Sequence, residues 1–275
     1  KSDILRRSIE KTYNEIKTIY PTIPFYGTAF SRLAGSQKLF FSSWFNYIGN
    51  NSDGITYHSY YHETDDDNYY AYLQNTNDWI KTNCTAYGLN FCDRIIVSEG
   101  NIWNSTIQNT TSYHNIYNYQ IALANLYFLT SSGNYTWYRY FWAGSRTYAS
   151  SSYYPFKWYM FLNSSLSVSG GQEFTPLYNV TKNFAHLCPA GGTVYTSSSD
   201  DSTIKTVSCK KGNQRSLIII NTDTSSKNVT VNLTSSGITN IYNYLNHSET
   251  YSASGNTNIG IMDSYNIKYL TEDLQ

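Results

Sequence analysis

Strand-like apolar segments alternate with amphipathic helical patterns through the first part of the chain, and this alternation restricts the fold more than any other feature. The predicted strands are residues 23–29, 54–61, 94–98 and 134–143. The predicted helices are residues 5–20, 39–47, 69–84 and 116–126, and Pro155 opens a further helix through Leu162. Strands separated by helices build parallel sheets, because a parallel crossover needs a dozen or more residues. The alternation therefore predicts an α/β domain over residues 1–169.

The pattern changes after Gly170 and Gly171, where helical periodicity gives way to short alternating segments separated by Gly, Asn and Ser. Such segments predict antiparallel strands, and we expect an all-β domain, a β-sandwich, over residues 170–275. The predicted strands are residues 216–221, 228–233, 239–245 and 267–270, with Tyr195 and residues 204–209 as two further candidates.

Charge and composition exclude several classes of partner. The chain has 19 basic and 19 acidic residues and no basic cluster, so nucleic acid is not an expected partner. No apolar run reaches the length of a membrane span. Charged residues make up only 14% of the chain, whereas tyrosine occurs 29 times. A tyrosine-rich surface suits carbohydrate binding, although the tyrosines are spread along the whole chain and also fit a general compositional habit.

Cysteines and glycosylation sequons point to an extracellular or cell-surface protein. The four cysteines match no zinc or redox spacing, and we expect two local disulfides, Cys84–Cys92 and Cys188–Cys209, with free buried thiols as the alternative. Asn-x-Ser/Thr sequons are more frequent than chance alone would give. They lie at Asn50, Asn83, Asn104, Asn109, Asn134, Asn163, Asn179, Asn228, Asn232 and Asn246.

Four strand–helix units are too few to close a (β/α)8 barrel, and an open parallel sheet with two free edges is not a stable end point. We therefore expect the first four units to come from an N-terminal segment of the same precursor or from a second chain. No metal-binding quartet, phosphate-binding glycine loop or catalytic triad is apparent, and no cofactor is expected.

Glu99 is the strongest candidate for a catalytic residue. It follows the apolar strand at residues 94–98 and precedes Gly100, so the sequence predicts a carboxylate in a turn at the end of a strand. The carboxyl ends of parallel barrel strands form the active-site mouth. An exposed turn glutamate without function is the alternative.

In order, these segments resemble the carboxyl-terminal half of a clan A glycoside hydrolase, as in families 30, 39, 44 and 79. The resemblance rests on residues 25–28, 58–60, 97–99 and 138–142 as barrel strands five to eight. Residues 178–184, Pro189-Ala190-Gly191-Gly192 and the segments 217–221 and 227–233 resemble the link to the sandwich and two of its strands. The resemblance implies a (β/α)8 TIM barrel, of which this chain holds strands five to eight, followed by an antiparallel β-sandwich.

The resemblance also assigns roles. The seventh strand of such enzymes ends in the nucleophile, here Glu99, and the eighth carries a tryptophan under the sugar, here Trp142. The sixth carries a His or Tyr near the nucleophile; His58 and Tyr60, two residues apart, share one face of a strand, with interior packing as the alternative. Asn101 and Trp103 are weaker candidates for substrate binding. The family's acid/base glutamate has no counterpart here and would lie before Lys1.

These features lead to the hypothesis of an extracellular retaining glycoside hydrolase that acts on polysaccharide or glycan, with its acid/base carboxylate on the missing N-terminal segment or a companion chain. The alternative is a non-catalytic surface or filament glycoprotein that uses the same scaffold.

Overall fold

The computed structural model describes residues 2–30, 36–48, 50–62, 68–102, 111–131, 134–137, 161–163, 172–174, 176–189, 191–243 and 248–273. By their contacts these residues form two compact units, one from the ranges 1–103 and 131–140 and the other from the ranges 104–130 and 141–275. The predicted domain boundary at residue 170 stays a prediction. None of the described helices is long and apolar enough to cross a membrane.

The first unit is an α/β structure, which confirms the mixed α/β character predicted for this part of the chain. Its four strands pair in parallel and in chain order, β1-β2-β3-β4. Its elements are α1 (Ser2–Ile19), β1 (Tyr26–Phe30), α2 (Ser36–Ile48), β2 (Gly54–Tyr61), α3 (Tyr69–Ala86), β3 (Arg94–Ile102) and β4 (Asn134–Trp137).

Strand β2 shows the two faces of this sheet by the alternation of its burial. Ile55, Tyr57 and Tyr61 are buried, and the Tyr57 hydroxyl donates to Asn77 Oδ1 of α3 at 3.0 Å, so this is the helix-covered face. Thr56, His58 and Tyr60 point the other way and remain partly exposed. We call that side the open face. Helix α2 packs on the covered face as well, where a Cβ added at Gly27 would lie 2.3 Å from the Trp44 ring.

Asp53 connects helix α1 to the segments that lead into strands β1 and β2, at their amino-terminal ends. Its Oδ2 accepts hydrogen bonds from the Phe25 N–H and from Lys17 Nζ of α1, at 2.7 and 2.6 Å. Burial raises the pKa of the Asp53 carboxyl, but the hydrogen bonds from Lys17 and Phe25 outweigh it, so the net pKa is lowered. Asp53 therefore fastens α1 to the loop that opens β2.

The described part of the second unit contains two helices, α4 (Thr111–Thr130) and α5 (Pro176–Leu187), and eight strands arranged in two sheets. The small sheet pairs β5 (Phe161–Asn163) with β6 (Gln172–Phe174). The large one is antiparallel throughout, in the order β11-β10-β12-β9-β8-β7. Its strands are β7 (Thr193–Tyr195), β8 (Ile204–Lys211), β9 (Gln214–Asn221), β10 (Lys227–Asn243), β11 (Ser248–Met262) and β12 (Ile267–Asp273). The sandwich architecture stays a prediction.

The large sheet is buried on both faces at its centre, because Ile218, Ile219 and Ile220 of β9 are all essentially inaccessible. Helix α5 contacts β9 and β12, and the Cys188–Cys209 disulfide joins the end of α5 to β8. A second apolar cluster contains Ile204, Leu217, Ile219, Val229, Val231, Ile259, Met262 and Leu270. The start of β10 and the end of β11 thus pack against β8, β9 and β12 and extend the core.

Asn221 joins two turns at one end of this sheet. It is fully buried, and its Nδ2 donates to the Ser225 carbonyl at 2.9 Å, the Met262 carbonyl at 3.2 Å and the Asp263 carbonyl at 2.9 Å. Its Oδ1 accepts from the Asp223 N–H at 3.0 Å. One side chain therefore ties the β9–β10 turn to the end of β11.

Three sequence predictions outside strand β3 differ from the structure. The helix expected to run through Leu162 is wrong at its end, since residues 161–163 form β5; an apolar run this short does not distinguish helix from strand. Residues 228–233 and 239–245 were expected as two strands, but residues 227–243 form the single strand β10, because a register shift between Leu233 and Gly237 absorbs the polar break. The helix α5 and the strand β11 were not predicted at all.

Candidate active site

Strand β3 does not end where the sequence predicts. The expected turn at Glu99 and Gly100 is wrong, because β3 continues to Ile102 and stays paired with β2 as far as Tyr61. The pairing is irregular at one point only: Tyr57 lies opposite Val97, but His58 lies opposite Glu99. Ser98 is the extra residue, so β3 carries a β-bulge immediately before the candidate nucleophile.

The bulge determines the face on which Glu99 lies. In a regular strand Glu99 would share the side of Ile95 and Val97, both of which are buried. The inserted Ser98 shifts the alternation by one, and Ser98 and Glu99 are both partly exposed, as Ile96 is. Glu99 consequently joins His58 on the open face, at the same level of the sheet.

The carboxylate of Glu99 contacts both residues predicted to accompany it. The Tyr60 hydroxyl donates to Glu99 Oε2 at 2.6 Å, and His58 Nδ1 lies 3.3 Å from the same oxygen. The Glu99 side chain is 36% exposed and that of His58 is 21% exposed. A hydroxyl this close to a carboxylate makes a short charge-assisted hydrogen bond, which fixes the direction of the group. Both contacts engage Oε2, and among the described residues Oε1 has no hydrogen bond or ion pair.

The other predicted substrate contacts divide into two groups. Asn101 lies opposite Tyr60 on the neighbouring strand, and its side chain is fully buried, with Oδ1 accepting the Ile102 N–H at 2.9 Å. Trp103 and Trp142 lie outside the described residues. Sugar binding stays a prediction for all five candidates: His58, Tyr60, Asn101, Trp103 and Trp142.

Both predicted disulfides, Cys84–Cys92 and Cys188–Cys209, are present, and no cysteine is free. The first connects the last turns of α3 to the loop before β3, close in sequence to the strand that carries Glu99. Within the described part of the chain no cluster of three or more His, Cys, Asp or Glu side chains could hold a metal ion.

The sequon asparagines differ in accessibility. Asn50, Asn228 and Asn232 are exposed, whereas Asn83 and Asn179 are partly buried. The Asn83 amide nitrogen donates to the Trp79 carbonyl at 2.9 Å. The side chains of the remaining sequons lie outside the described residues: Asn104, Asn109, Asn134, Asn163 and Asn246. Glycosylation stays a prediction at every one of these positions.

Sequence reasoning missed two hydroxyl side chains beside Glu99. Thr56 Oγ1 lies 3.1 Å from Ser98 Oγ across the two strands, and Ser98 Oγ donates to the Tyr57 carbonyl at 3.3 Å. The dipeptide Ser98-Glu99 has no sequence pattern that would indicate a bulge. The register of a parallel strand depends on its partner strand rather than on its own residues. No local signal could have identified them.

Compared by sequence, the chain matches no family model and no curated protein. Compared by structure, it is similar to a family 86 glycoside hydrolase in complex with neoagarooctaose, with 12% identity and a TM-score of 0.71 over 100% of this chain and 47% of that one. It is also similar to a glucosidase from Croceicoccus marinus, with 10% identity and a TM-score of 0.68 over 100% of this chain and 65% of that one. A family 30 endoxylanase from Clostridium papyrosolvens is 14% identical, with a TM-score of 0.50 over 98% of this chain and 60% of that one.

These similarities confirm, at the level of the fold, the resemblance to clan A glycoside hydrolases. The chain spans about half the length of the first of these structures, 47%. At identities of 10 to 14%, the structural similarity is evidence for the fold only. The chain has the fold of a part of these glycoside hydrolases.

Proposed function

We propose that this chain forms part of a retaining glycoside hydrolase of extracellular polysaccharide or glycan, with Glu99 as its nucleophile. The observation that carries the proposal is the short hydrogen bond from Tyr60 to Glu99 Oε2 on the open face of a parallel sheet. A carboxylate that is oriented by a neighbouring strand and still partly exposed is suited to attack a substrate. The glycoside hydrolase fold of the chain supports the same assignment.

In the proposed reaction Glu99 attacks the anomeric carbon and forms a covalent glycosyl–enzyme bond, while a second carboxyl group protonates the leaving oxygen. That second group then activates the water that hydrolyses the intermediate. Tyr60 and His58 hold Oε2, so Oε1 is the oxygen that attacks. The two carboxyl groups of a retaining enzyme lie about 5 to 5.5 Å apart, which sets where the acid/base must reach the open face.

The acid/base carboxylate and the first four βα units are proposed to come from an N-terminal segment of the same precursor or from a companion chain. Four parallel strands do not close a barrel, and β1 and β4 are the edge strands of the described sheet. Both described crossovers, through α2 and α3, lie on one face, as they do in barrels. Large apolar residues are also exposed on α1 and α2, including Ile4, Leu39 and Phe40, as expected where another segment packs.

A polysaccharide substrate is the first choice for the assay. The proteins of similar structure include an endoxylanase and a protein solved with neoagarooctaose, so a test panel contains xylan, agarose and their oligosaccharides. The exposed sequons Asn228 and Asn232 on β10 are compatible with an extracellular protein, but they equally suit the alternative, a non-catalytic surface glycoprotein.

The decisive experiment is covalent labelling with mechanism-based fluorosugars, applied to the protein together with its N-terminal segment or partner. We expect one adduct, which peptide mass spectrometry maps to Glu99, and we expect it to be absent in Glu99→Gln. Glu15→Gln is the matched control, because Glu15 is an exposed helix glutamate that pairs only loosely with Lys11, at 3.8 Å. A Glu99→Gln variant that keeps its turnover would exclude Glu99 as the nucleophile. A panel without turnover and without adduct would leave the non-catalytic glycoprotein as the better interpretation.

A further inference from the structure

The open face contains a hydrogen-bonded chain that the proposed reaction does not use directly. Ser98 Oγ donates to the Tyr57 carbonyl, and because a serine hydroxyl has only one hydrogen, the contact with Thr56 must be donated by the threonine. The order is therefore Thr56 to Ser98 to the backbone of β2. All three residues lie on the strand pair that carries His58, Tyr60 and Glu99.

This chain is located at the bulge itself. Ser98 is the residue of β3 that has no opposite residue on β2, so the ladder does not fix it in the way that it fixes its neighbours. Its hydroxyl supplies a replacement, because it bonds the carbonyl of Tyr57, the last residue of β2 before the register shifts. The side chain thus fastens the one irregular point of the strand pair.

From this placement we infer that Ser98 is a positioning residue for the proposed nucleophile. As the extra residue it turns the Glu99 side chain from the helix-covered face to the open face, and through its hydroxyl it holds that backbone against β2. Glu99 Oε2 then lies within reach of both Tyr60 and His58. This inference rests on the proposed function for its catalytic consequence, but the placement of Glu99 can be measured without catalysis.

The kinetic test compares Ser98→Ala with Ser98→Thr, which keeps the hydroxyl, in the protein with its N-terminal segment or partner. A misplacement of about 1 Å can cost a hundredfold in rate, so we expect Ser98→Ala to lower kcat about 10- to 100-fold with KM nearly unchanged. Ser98→Thr should recover most of the loss. Ser208→Ala is the matched control, because the Ser208 hydroxyl also bonds the carbonyl of a neighbouring strand, that of Tyr195 at 3.2 Å, in the second unit.

A double-mutant cycle tests the placement independently of activity. Ser98 and Tyr60 have no hydrogen bond to each other in the described structure, and if Ser98 positions Glu99, removing it also weakens the Tyr60–Glu99 bond. The unfolding equilibrium constants of Ser98→Ala, Tyr60→Phe and the double variant should then depart from multiplicative behaviour by about two- to tenfold. Tyr69→Phe is the control substitution. The Tyr69 ring stacks on Tyr61 on the covered face, and its hydroxyl donates to the Ser59 carbonyl, so this substitution should combine with Ser98→Ala multiplicatively.

The two measurements separate the possible failures. Multiplicative behaviour of Ser98→Ala with Tyr60→Phe overturns the inference, whether or not the protein is an enzyme. A kcat of Ser98→Ala within twofold of the wild type overturns it as well. So does a general impairment of Ser98→Ala, in which kcat falls, KM changes and stability drops together and Ser98→Thr does not restore them. Absence of any fluorosugar adduct overturns the proposed function, while the cycle still decides whether Ser98 places Glu99.

Discussion

Asn221 offers a sharp test of the packing in the second unit, because one buried amide serves several backbone groups. We compare Asn221→Ala, which removes the amide, with Asn221→Asp, which keeps its size but replaces the donating nitrogen by an oxygen. In the structure that nitrogen points at the carbonyls of Ser225, Met262 and Asp263. The introduced oxygen would therefore meet acceptors only, in a site without solvent.

The cost follows from the number of bonds. The nitrogen has two hydrogens for its three acceptors, and Oδ1 accepts one further N–H, so about three hydrogen bonds are lost at about 1 kcal/mol each. We expect Asn221→Ala to lower the free energy of unfolding by about 2 to 4 kcal/mol. Asn221→Asp should cost at least about 2 kcal/mol more at pH 7, because it buries a charge against carbonyl oxygens.

The assay is urea unfolding followed by far-UV circular dichroism at pH 7 and pH 5. Burial raises the folded-state pKa of the introduced carboxyl above its unfolded value, so the variant gains stability as the pH falls through that pKa, and the gap to Asn221→Ala narrows at pH 5. Asn258→Asp is the control, since Asn258 is exposed and only its oxygen is used, by the Gly260 N–H. Equal stability of the aspartate and alanine variants at pH 7, or a gap independent of pH, would refute the hydrogen-bond assignment of Asn221.

Three further predictions concern local stability. Lys17→Met should lower the free energy of unfolding by about 1 to 2 kcal/mol after allowance for partial exposure, measured by urea titration, because Asp53 loses a 2.6 Å partner; no change would contradict that role. Replacing both cysteines of the disulfide in the first unit by serine should cost about 2 to 3 kcal/mol, seen as a lower urea midpoint under non-reducing conditions. Hydrogen bonds from Thr203 and Lys227 lower the pKa of Asp201 to about 2, and those from Lys227 and the Ser225 N–H lower the pKa of Asp223 to about 2. Their stabilisation is complete above the ordinary value of 3.8 and is lost as the pH falls through about 2, so the Tm difference between wild type and Lys227→Met should be larger at pH 6 than at pH 2.5.

The α/β character of the first unit was predictable from the sequence because it depends on local periodicity. Apolar residues at helical spacing placed α1 and α3 to within a few residues, and Gly88 marked the end of α3, where it adopts a left-handed conformation with φ of 68°. The two disulfides were predictable from cysteine spacing and the absence of any metal pattern. These features need no knowledge of a partner strand.

The face of Glu99 was not predictable, since it depends on how β3 pairs with β2. The sequence predicted that His58 and Tyr60 accompany Glu99, and the structure brings the three together, but the turn on which the prediction relied does not exist. The continuity of β10 was missed for a related reason, because its polar middle is held by pairing with β11 across a register shift. Local patterns predict elements, whereas irregular pairing follows from contacts distant in the sequence.

The extra residue in β3 also affects how relatives should be aligned to this chain. A template that threads β3 as an uninterrupted strand brings Ser98 opposite His58 and moves every later residue of the strand to the wrong side. At identities of 10 to 14% no score would expose such a one-residue offset. Searches for a counterpart of the proposed nucleophile Glu99 in divergent relatives should therefore allow an insertion at this point, or they will align the Ser98 hydroxyl with the carboxylate.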